Sequence, residues 1–264
     1  MVRRVAKLAT FVGAAALSIG AFSQLSTNAD ASPTSDSASL AVAAAPSPPT
    51  QIDPQISDAY RPEVVPSGVS KIARVVRTAT VYSSINGEPV GEVSAKTRYG
   101  LDQSLSVVGD PIGQWVNVRL DQRPNQSTGW LRLEDVEITW TDLFIVIDLS
   151  DRYLALYSAG DVVVEGTVAI GSSASRTPTG FTFVSEVLAT PGATIYGPYA
   201  LGLAMYSDDL TEYAGGNGQI AIHGTNTPEL LGSDVSAGCV RTDNDLIRRL
   251  AGRVPLGTPV VIVA

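Results

Sequence analysis

An all-β protein is predicted, with a small β-barrel followed by an antiparallel β-sandwich carrying one or two short helices. Three observations lead there. From Lys71 to about residue 138, short runs of alternating apolar and polar residues recur between turn residues. From Asp142 onward the strands follow one another as a meander with little room for helices. A short helix is expected from Thr242 to about Ala251, where Thr242 and Asp245 are spaced as a capping box.

The first segment reads as an address. Arg3, Arg4 and Lys7 precede an apolar run from Leu8 to Phe22, and Ala29-Asp30-Ala31 supplies small residues for cleavage. This is the three-part pattern of a secretory signal peptide over residues 1–31. The apolar run is shorter than the roughly twenty residues that a membrane-spanning helix needs. An uncleaved amino-terminal tether is the alternative. No Cys lies near the cleavage region, which excludes a lipid-modified lipoprotein. The expected location is outside the cytoplasmic membrane, in the cell wall, the periplasmic space or the medium, with membrane contact only during export.

Residues 32–69 are dominated by Ser, Ala, Thr and Pro, with Ala43-Ala44-Ala45-Pro46-Ser47-Pro48-Pro49 at the centre. Such a stretch lacks the apolar periodicity to offset the entropy of ordering, and reads as a linker.

The barrel is expected over residues 70–139. Thr80-Val81-Tyr82-Ser83 runs into the hairpin signal Asn86-Gly87, and Leu105 to Val108 forms a second run. Trp115 to Leu120 alternates with period two, Arg123 to Gly129 is a turn cluster, and Trp130-Leu131 and Asp135-Val136 follow. This series resembles the bacterial SH3-like modules appended to wall enzymes, which implies a wall-positioning role. Trp115 and Trp130 are either core aromatics or the lining of a binding groove.

Charge and cysteine usage narrow the function. The formal net charge is -8, and loss of residues 1–31 removes three basic residues and one acidic one. An acidic chain repels the phosphate backbone, so no nucleic-acid partner is expected. A single Cys excludes an internal disulfide and a multi-thiolate metal site. It leaves a buried small hydrophobe, an intermolecular disulfide or a reactive nucleophile.

The surroundings of that Cys favour the nucleophile. Ile220-Ala221-Ile222-His223-Gly224-Thr225 and Ser233-Asp234-Val235-Ser236-Ala237-Gly238-Cys239-Val240-Arg241 place the only His and the only Cys sixteen residues apart, each beside glycine. A thiol near its free pKa of about 8.5 is mostly protonated at neutral pH, and a neighbouring imidazole corrects this by taking the proton. The helix following Cys239 would add its positive end, and Gly238 would let the backbone approach a substrate carbonyl.

Residues 141–264 resemble the L,D-transpeptidase catalytic family, through His223-Gly224-Thr225 and Ser236-Ala237-Gly238-Cys239-Val240-Arg241. Supporting pieces are Asp148-Leu149-Ser150, Pro178-Thr179-Gly180-Phe181, Tyr196-Gly197-Pro198-Tyr199 and the run Pro255 to Val260. The resemblance implies that Cys239 is the nucleophile and His223 the general base and later acid. It implies that Ser236 and Gly238 shape the oxyanion loop, and that Arg241, Gly224, Thr225 and Tyr206 bind substrate. No metal or organic cofactor is implied. The implied partners are peptidoglycan stem peptides, a tetrapeptide donor and an amine acceptor, with carbapenem-type lactams as inhibitors. One departure stands out: many members carry a second His where this chain has Ala237, which leaves His223 alone for the proton traffic. Hydrolysis by an L,D-carboxypeptidase and a non-catalytic wall-binding protein are the rival readings.

Overall fold

The computed structural model describes residues 68–191 and 194–264. The signal peptide and nearly all of the linker lie outside the described residues.

The first β unit forms where the alternation predicted it. β1 (Ser70–Val75), β4 (Ser104–Ser106) and β7 (Val136–Thr141) make a three-stranded sheet in the order β4-β1-β7. β2 (Ala79–Tyr82), β3 (Pro89–Val93), β5 (Trp115–Arg119) and β6 (Thr128–Arg132) make a second, ordered β3-β2-β6-β5. Asn86 takes the left-handed conformation that the hairpin signal requires. The inward residues of both sheets, among them Ala73, Val81, Val116, Val118 and Leu131, share one buried cluster. Trp115 belongs to the core, only 5 % exposed, with Tyr82 edge-on and the Arg132 guanidinium over its ring. For Trp115 the groove-lining alternative therefore does not hold.

From residue 143 the chain builds an eight-stranded sheet in the order β10-β9-β8-β17-β12-β13-β14-β16. Its strands are β8 (Leu143–Asp148), β9 (Tyr153–Ser158), β10 (Asp161–Thr167), β12 (Gly180–Ala189), β13 (Tyr199–Tyr206), β14 (Gln219–His223), β16 (Val240–Arg241) and β17 (Pro259–Val263). Most neighbours run antiparallel, as expected for the β-sandwich class. The exceptions in this sheet are β17 beside β8 and β16 beside β14, which are parallel. A small parallel pair, β11 (Ile170–Gly171) and β15 (Asp234–Ser236), lies apart from it. Register shifts in β10, β12 and β13 bend the large sheet, because a bulge adds local twist.

Alternation along β13 and β14 decides which side chains meet the core. Leu201, Leu203 and Met205 join Ile220 and Ile222 in the main cluster, beneath Leu246, Ile247 and Leu250 of the helix α1 (Asn244–Ala251). Each such side chain contributes roughly 1.5–3 kcal/mol by burial. The helix starts later than the spacing suggested. Its N-cap is Asp243, whose carboxylate accepts from the N–H groups of Asp245 and Leu246. Thr242 serves β14 instead, donating its N–H to the His223 carbonyl at 2.8 Å.

The two β regions are tightly joined. Phe183 of β12 and Ala204 of β13 enter the core of the first β unit. The turn between β5 and β6 docks on the end of β13. Asn125 donates to the Tyr206 carbonyl at 2.7 Å and accepts from the Tyr206 N–H at 2.8 Å, so its amide pairs as a strand residue would. Arg123 donates to the carbonyls of Ser207, Leu210 and Asn217.

Candidate active site

His223 ends β14, and its neighbour in register is Arg241 of β16. Because Ile220 and Ile222 point into the main core, Gln219, Ala221 and His223 occupy the opposite face of the strand. Cys239 directly precedes β16, which pairs in parallel with β14, and the Ala221 backbone of β14 favours its thiolate. The thiol and the imidazole are thereby held beside the same strand.

The nucleophile loop is fixed by three hydroxyls. Ser175 donates to the Ala237 carbonyl at 3.0 Å, Thr177 to the Gly238 carbonyl at 2.9 Å and Ser236 to the Cys239 carbonyl at 2.6 Å. Thr177 is itself held by the Gly171 N–H at 2.9 Å. In a trans peptide the N–H points away from its carbonyl, so fixing the Gly238 carbonyl also aims the Cys239 N–H. That N–H has no hydrogen-bond partner among the described residues, as an oxyanion donor requires. Gly238 has φ +112, a conformation that L side chains rarely adopt, and its N–H is taken by Ser236 Oγ at 3.0 Å. Gly238 and Ser236 thus set the course of the loop, and the Cys239 N–H is left free among the described residues.

His223 is buried and its Nδ1 lies 2.6 Å from the Gly224 carbonyl. A carbonyl only accepts, so Nδ1 carries the proton and Nε2 presents its lone pair. The ring also meets Tyr196 edge-on, with centroids 4.9 Å apart. Gly224 is packed hard: a Cβ there would lie 2.3 Å from Asn244 Oδ1 and 3.0 Å from Gly197 Cα. Gly224→Ala is expected to displace the carbonyl that fixes the imidazole and to lower activity at least a hundredfold, with the near-ultraviolet circular dichroism retained. Activity within threefold of the parent protein would contradict this role.

Electrostatics set the resting protonation state. Burial pulls His223 down to about 4, the Gly224 carbonyl opposes this, and the Arg241 charge adds to the fall. Burial pushes the Cys239 thiol up, against the Ala221 N–H and Arg241. At neutral pH the site therefore holds a thiol beside a neutral imidazole, and not a preformed ion pair. Iodoacetamide should modify Cys239 at pH 7 more slowly than free cysteine, with a rate still rising above pH 9. A plateau below pH 8 would indicate a thiolate–imidazolium pair instead.

Arg241 has a buried Nε without a hydrogen-bond partner, and forms no ion pair among the described residues. Other expected substrate residues are placed differently. Thr225 is 2 % exposed, its N–H bound to Asn244 Oδ1 and its hydroxyl engaged with Thr227. It is thus buried and tied to Asn244 and Thr227 in the turn that follows His223. Tyr206 lies in the contact with the first β unit, its hydroxyl donating to Asp121 at 2.9 Å beneath Arg123. Tyr206 thus sits at the contact with the first β unit, where it lines a polar cavity with Asp121 and Glu186. Sequence reasoning missed Ser175, Thr177 and Asn244 as supports, and Tyr196 as the neighbour of the imidazole. Only the Tyr196-Gly197-Pro198-Tyr199 motif hinted at the last.

The helix end contributes less than expected. Two of its free N–H groups are occupied by Asp243, a negative charge at that terminus.

Residues 142–262 match the family model described as YkuD, L,D-transpeptidase catalytic domain. The YkuD protein of Bacillus licheniformis is 33% identical over 118 residues, covering 45% of this chain and 64% of that protein. The Bacillus subtilis YkuD protein is 31% identical over the same shares. The chain thus spans less than two thirds of the length of either relative. Among solved structures, the catalytic domain of the E. faecium L,D-transpeptidase is 24% identical, covers 46% of this chain and 96% of that one, and has a TM-score of 0.34. The same E. faecium domain has been solved acylated by ertapenem. An L,D-transpeptidase from Mycobacterium smegmatis, 13% identical, covers 74% of this chain and 99% of its own, with a TM-score of 0.40. Residues 142–262 are thus similar to the L,D-transpeptidase catalytic-domain family.

Proposed function

We propose that this chain is an exported cysteine acyltransferase that cross-links third-position residues of peptidoglycan stem peptides. The observation that carries the proposal is the imidazole of His223, its Nε2 left bare by the Nδ1–Gly224 hydrogen bond, at the end of β14, against which β16, the strand directly after Cys239, pairs in parallel.

The chemistry follows from that arrangement. His223 Nε2 takes the thiol proton as Cys239 Sγ attacks the carbonyl between the third residue of a tetrapeptide stem and its terminal D-Ala. The Cys239 N–H stabilises the oxyanion. The C–N bond breaks, the D-Ala nitrogen leaves with the proton from His223, and a thioester remains. An amine from a neighbouring stem then attacks the thioester. His223 takes its proton, the C–S bond breaks, and the proton returns to sulfur. Arg241, a cation with no carboxylate partner among the described residues, is suited to a carboxylate of the stem. The first β unit, over residues 70–139, serves as an SH3-like positioning module for the catalytic domain over residues 141–264.

A strained lactam carbonyl is an alternative acyl donor for the same thiol. Incubation with a carbapenem should give one covalent adduct per chain by intact mass. Peptide mapping should place it on Cys239, and Cys239→Ala should carry none. An unmodified parent protein would contradict the nucleophilic role.

A further inference from the structure

The turn between β5 and β6 reaches the nucleophile loop through two further segments. Arg123, from that turn, donates Nη1 to the Ser207 carbonyl at 3.0 Å. Its Nη2 donates to the carbonyls of Leu210 and Asn217 at 3.3 and 3.2 Å. All three carbonyls belong to residues 207–218, the loop that joins β13 to β14. The loop is closed at its base, where the Ser207 N–H donates to the Gly218 carbonyl at 2.8 Å. Gly218 has φ +75, and a Cβ there would collide with the Leu210 carbonyl oxygen and press on the guanidinium. A planar fork of five N–H donors can bind three carbonyls at once, which a Lys or an amide side chain cannot do in this geometry. Arg123 thus plugs the loop from the side of the first β unit.

The same loop holds the supports of Cys239. Asp209 accepts the Arg176 N–H at 2.9 Å and pairs with the Arg176 guanidinium at 3.2 Å. The ion pair is largely exposed and contributes little by itself. The backbone bond matters more, because it fixes the residue between Ser175 and Thr177. Those two hydroxyls hold the carbonyls of Ala237 and Gly238. The tripeptide has no slack on its far side, since a Cβ on Gly171 would collide with the Ser175 carbonyl and the Thr177 nitrogen. Contacts therefore run without a gap from Arg123 to the peptide that carries the Cys239 N–H.

We propose that Arg123 and Asp209 are positioning residues for the nucleophile loop, through which the first β unit sets the rate of attack by Cys239. Neither residue touches the reacting atoms. Displacing a nucleophile slightly costs much more rate than affinity, so the effect belongs to the chemical step. The kinetic consequence rests on the nucleophile reading of Cys239, whereas the mechanical connection does not.

The test uses the full chain, with ertapenem as the acylating probe and loss of the lactam absorbance as the signal. Arg123→Gln and Asp209→Ala should each lower the limiting acylation rate about tenfold or more, with the half-saturating concentration little changed. Asp209→Asn keeps an oxygen for the Arg176 N–H and should restore the rate to within about threefold of the parent protein. Gln126→Asn changes the same turn at a side chain that meets Phe181 instead, and should leave the rate within about twofold. Both slow variants break one path, so the double variant should be no slower than the slower single by more than about twofold. The Cys239 amide resonance should also move in both slow variants and stay in place in Gln126→Asn. Parent rates in either folded variant, a loss confined to the half-saturating concentration, multiplied losses in the double variant, or an unmoved Cys239 amide would each overturn the path. A parent protein that ertapenem does not acylate would overturn the nucleophile reading, and the amide shifts would then decide the path alone.

Discussion

Replacing His223 by Gln should slow carbapenem acylation of Cys239 by about 10²–10⁴-fold at pH 7, the range that a positioned general base supplies. The expected size follows from two features of the site. Burial holds the thiol protonated, so little thiolate exists without a base. The chain contains no second imidazole, position 237 being Ala. The pH profile separates a proton-transfer role from mere support. In the parent protein the rate should stay level from pH 8 down to about 5, because the imidazole remains neutral until its value of about 4. In the variant the rate should climb steadily with pH as hydroxide replaces the lost base. A variant within tenfold of the parent at pH 7 would remove His223 from the mechanism. Stability carries a linked signature. The folded imidazole lies below its unfolded value of 6.5, so the unfolded state binds more protons between about pH 6.5 and 4. Stability should be undiminished above that window and fall through it as pH drops, by up to roughly 3 kcal/mol relative to the Gln variant.

Phe183→Ala should lower the unfolding free energy by about 3–5 kcal/mol, seen as a reduced urea midpoint. Phe183 has no exposed surface and stands on β12, yet its ring lies in the core of the first β unit. Truncation opens a cavity where the two β regions meet, beside Ala204 and close to the Asn125 docking. The two regions should still unfold in one transition at the lower midpoint. A loss below 1 kcal/mol, or an early separate melting of the first β unit in the parent protein, would contradict the shared core.

Much of this architecture was readable from the chain, for identifiable reasons. Strands β2, β5, β8 and β9 coincide with runs whose alternation or apolar continuity leaves few other options. His223 and Cys239 stood out because each is the only residue of its kind, and their setting on a strand and a glycine loop was visible in the neighbours. What escaped is what depends on tertiary register. Asp121, Arg123, Asn125 and Gln126 are ordinary turn residues, and a turn needs the same residue types whether its side chains face water or another backbone. Ser175 and Thr177 lie about sixty residues from the carbonyls they hold. Thr242 and Asp243 are both good helix caps, one residue apart, and local pattern cannot choose between them. The Tyr206 hydroxyl meets Asp121, 85 residues away, a contact that local pattern does not announce.

The most direct test of the account is incubation of the mature protein with purified tetrapeptide muropeptides, followed by mass spectrometry. The account predicts a dimer joined between third-position residues, one D-Ala lighter than the two monomers together, absent with Cys239→Ala. Unchanged monomers from a folded parent protein, loss of D-Ala without dimers, or dimers that survive in the Cys239→Ala variant would contradict it.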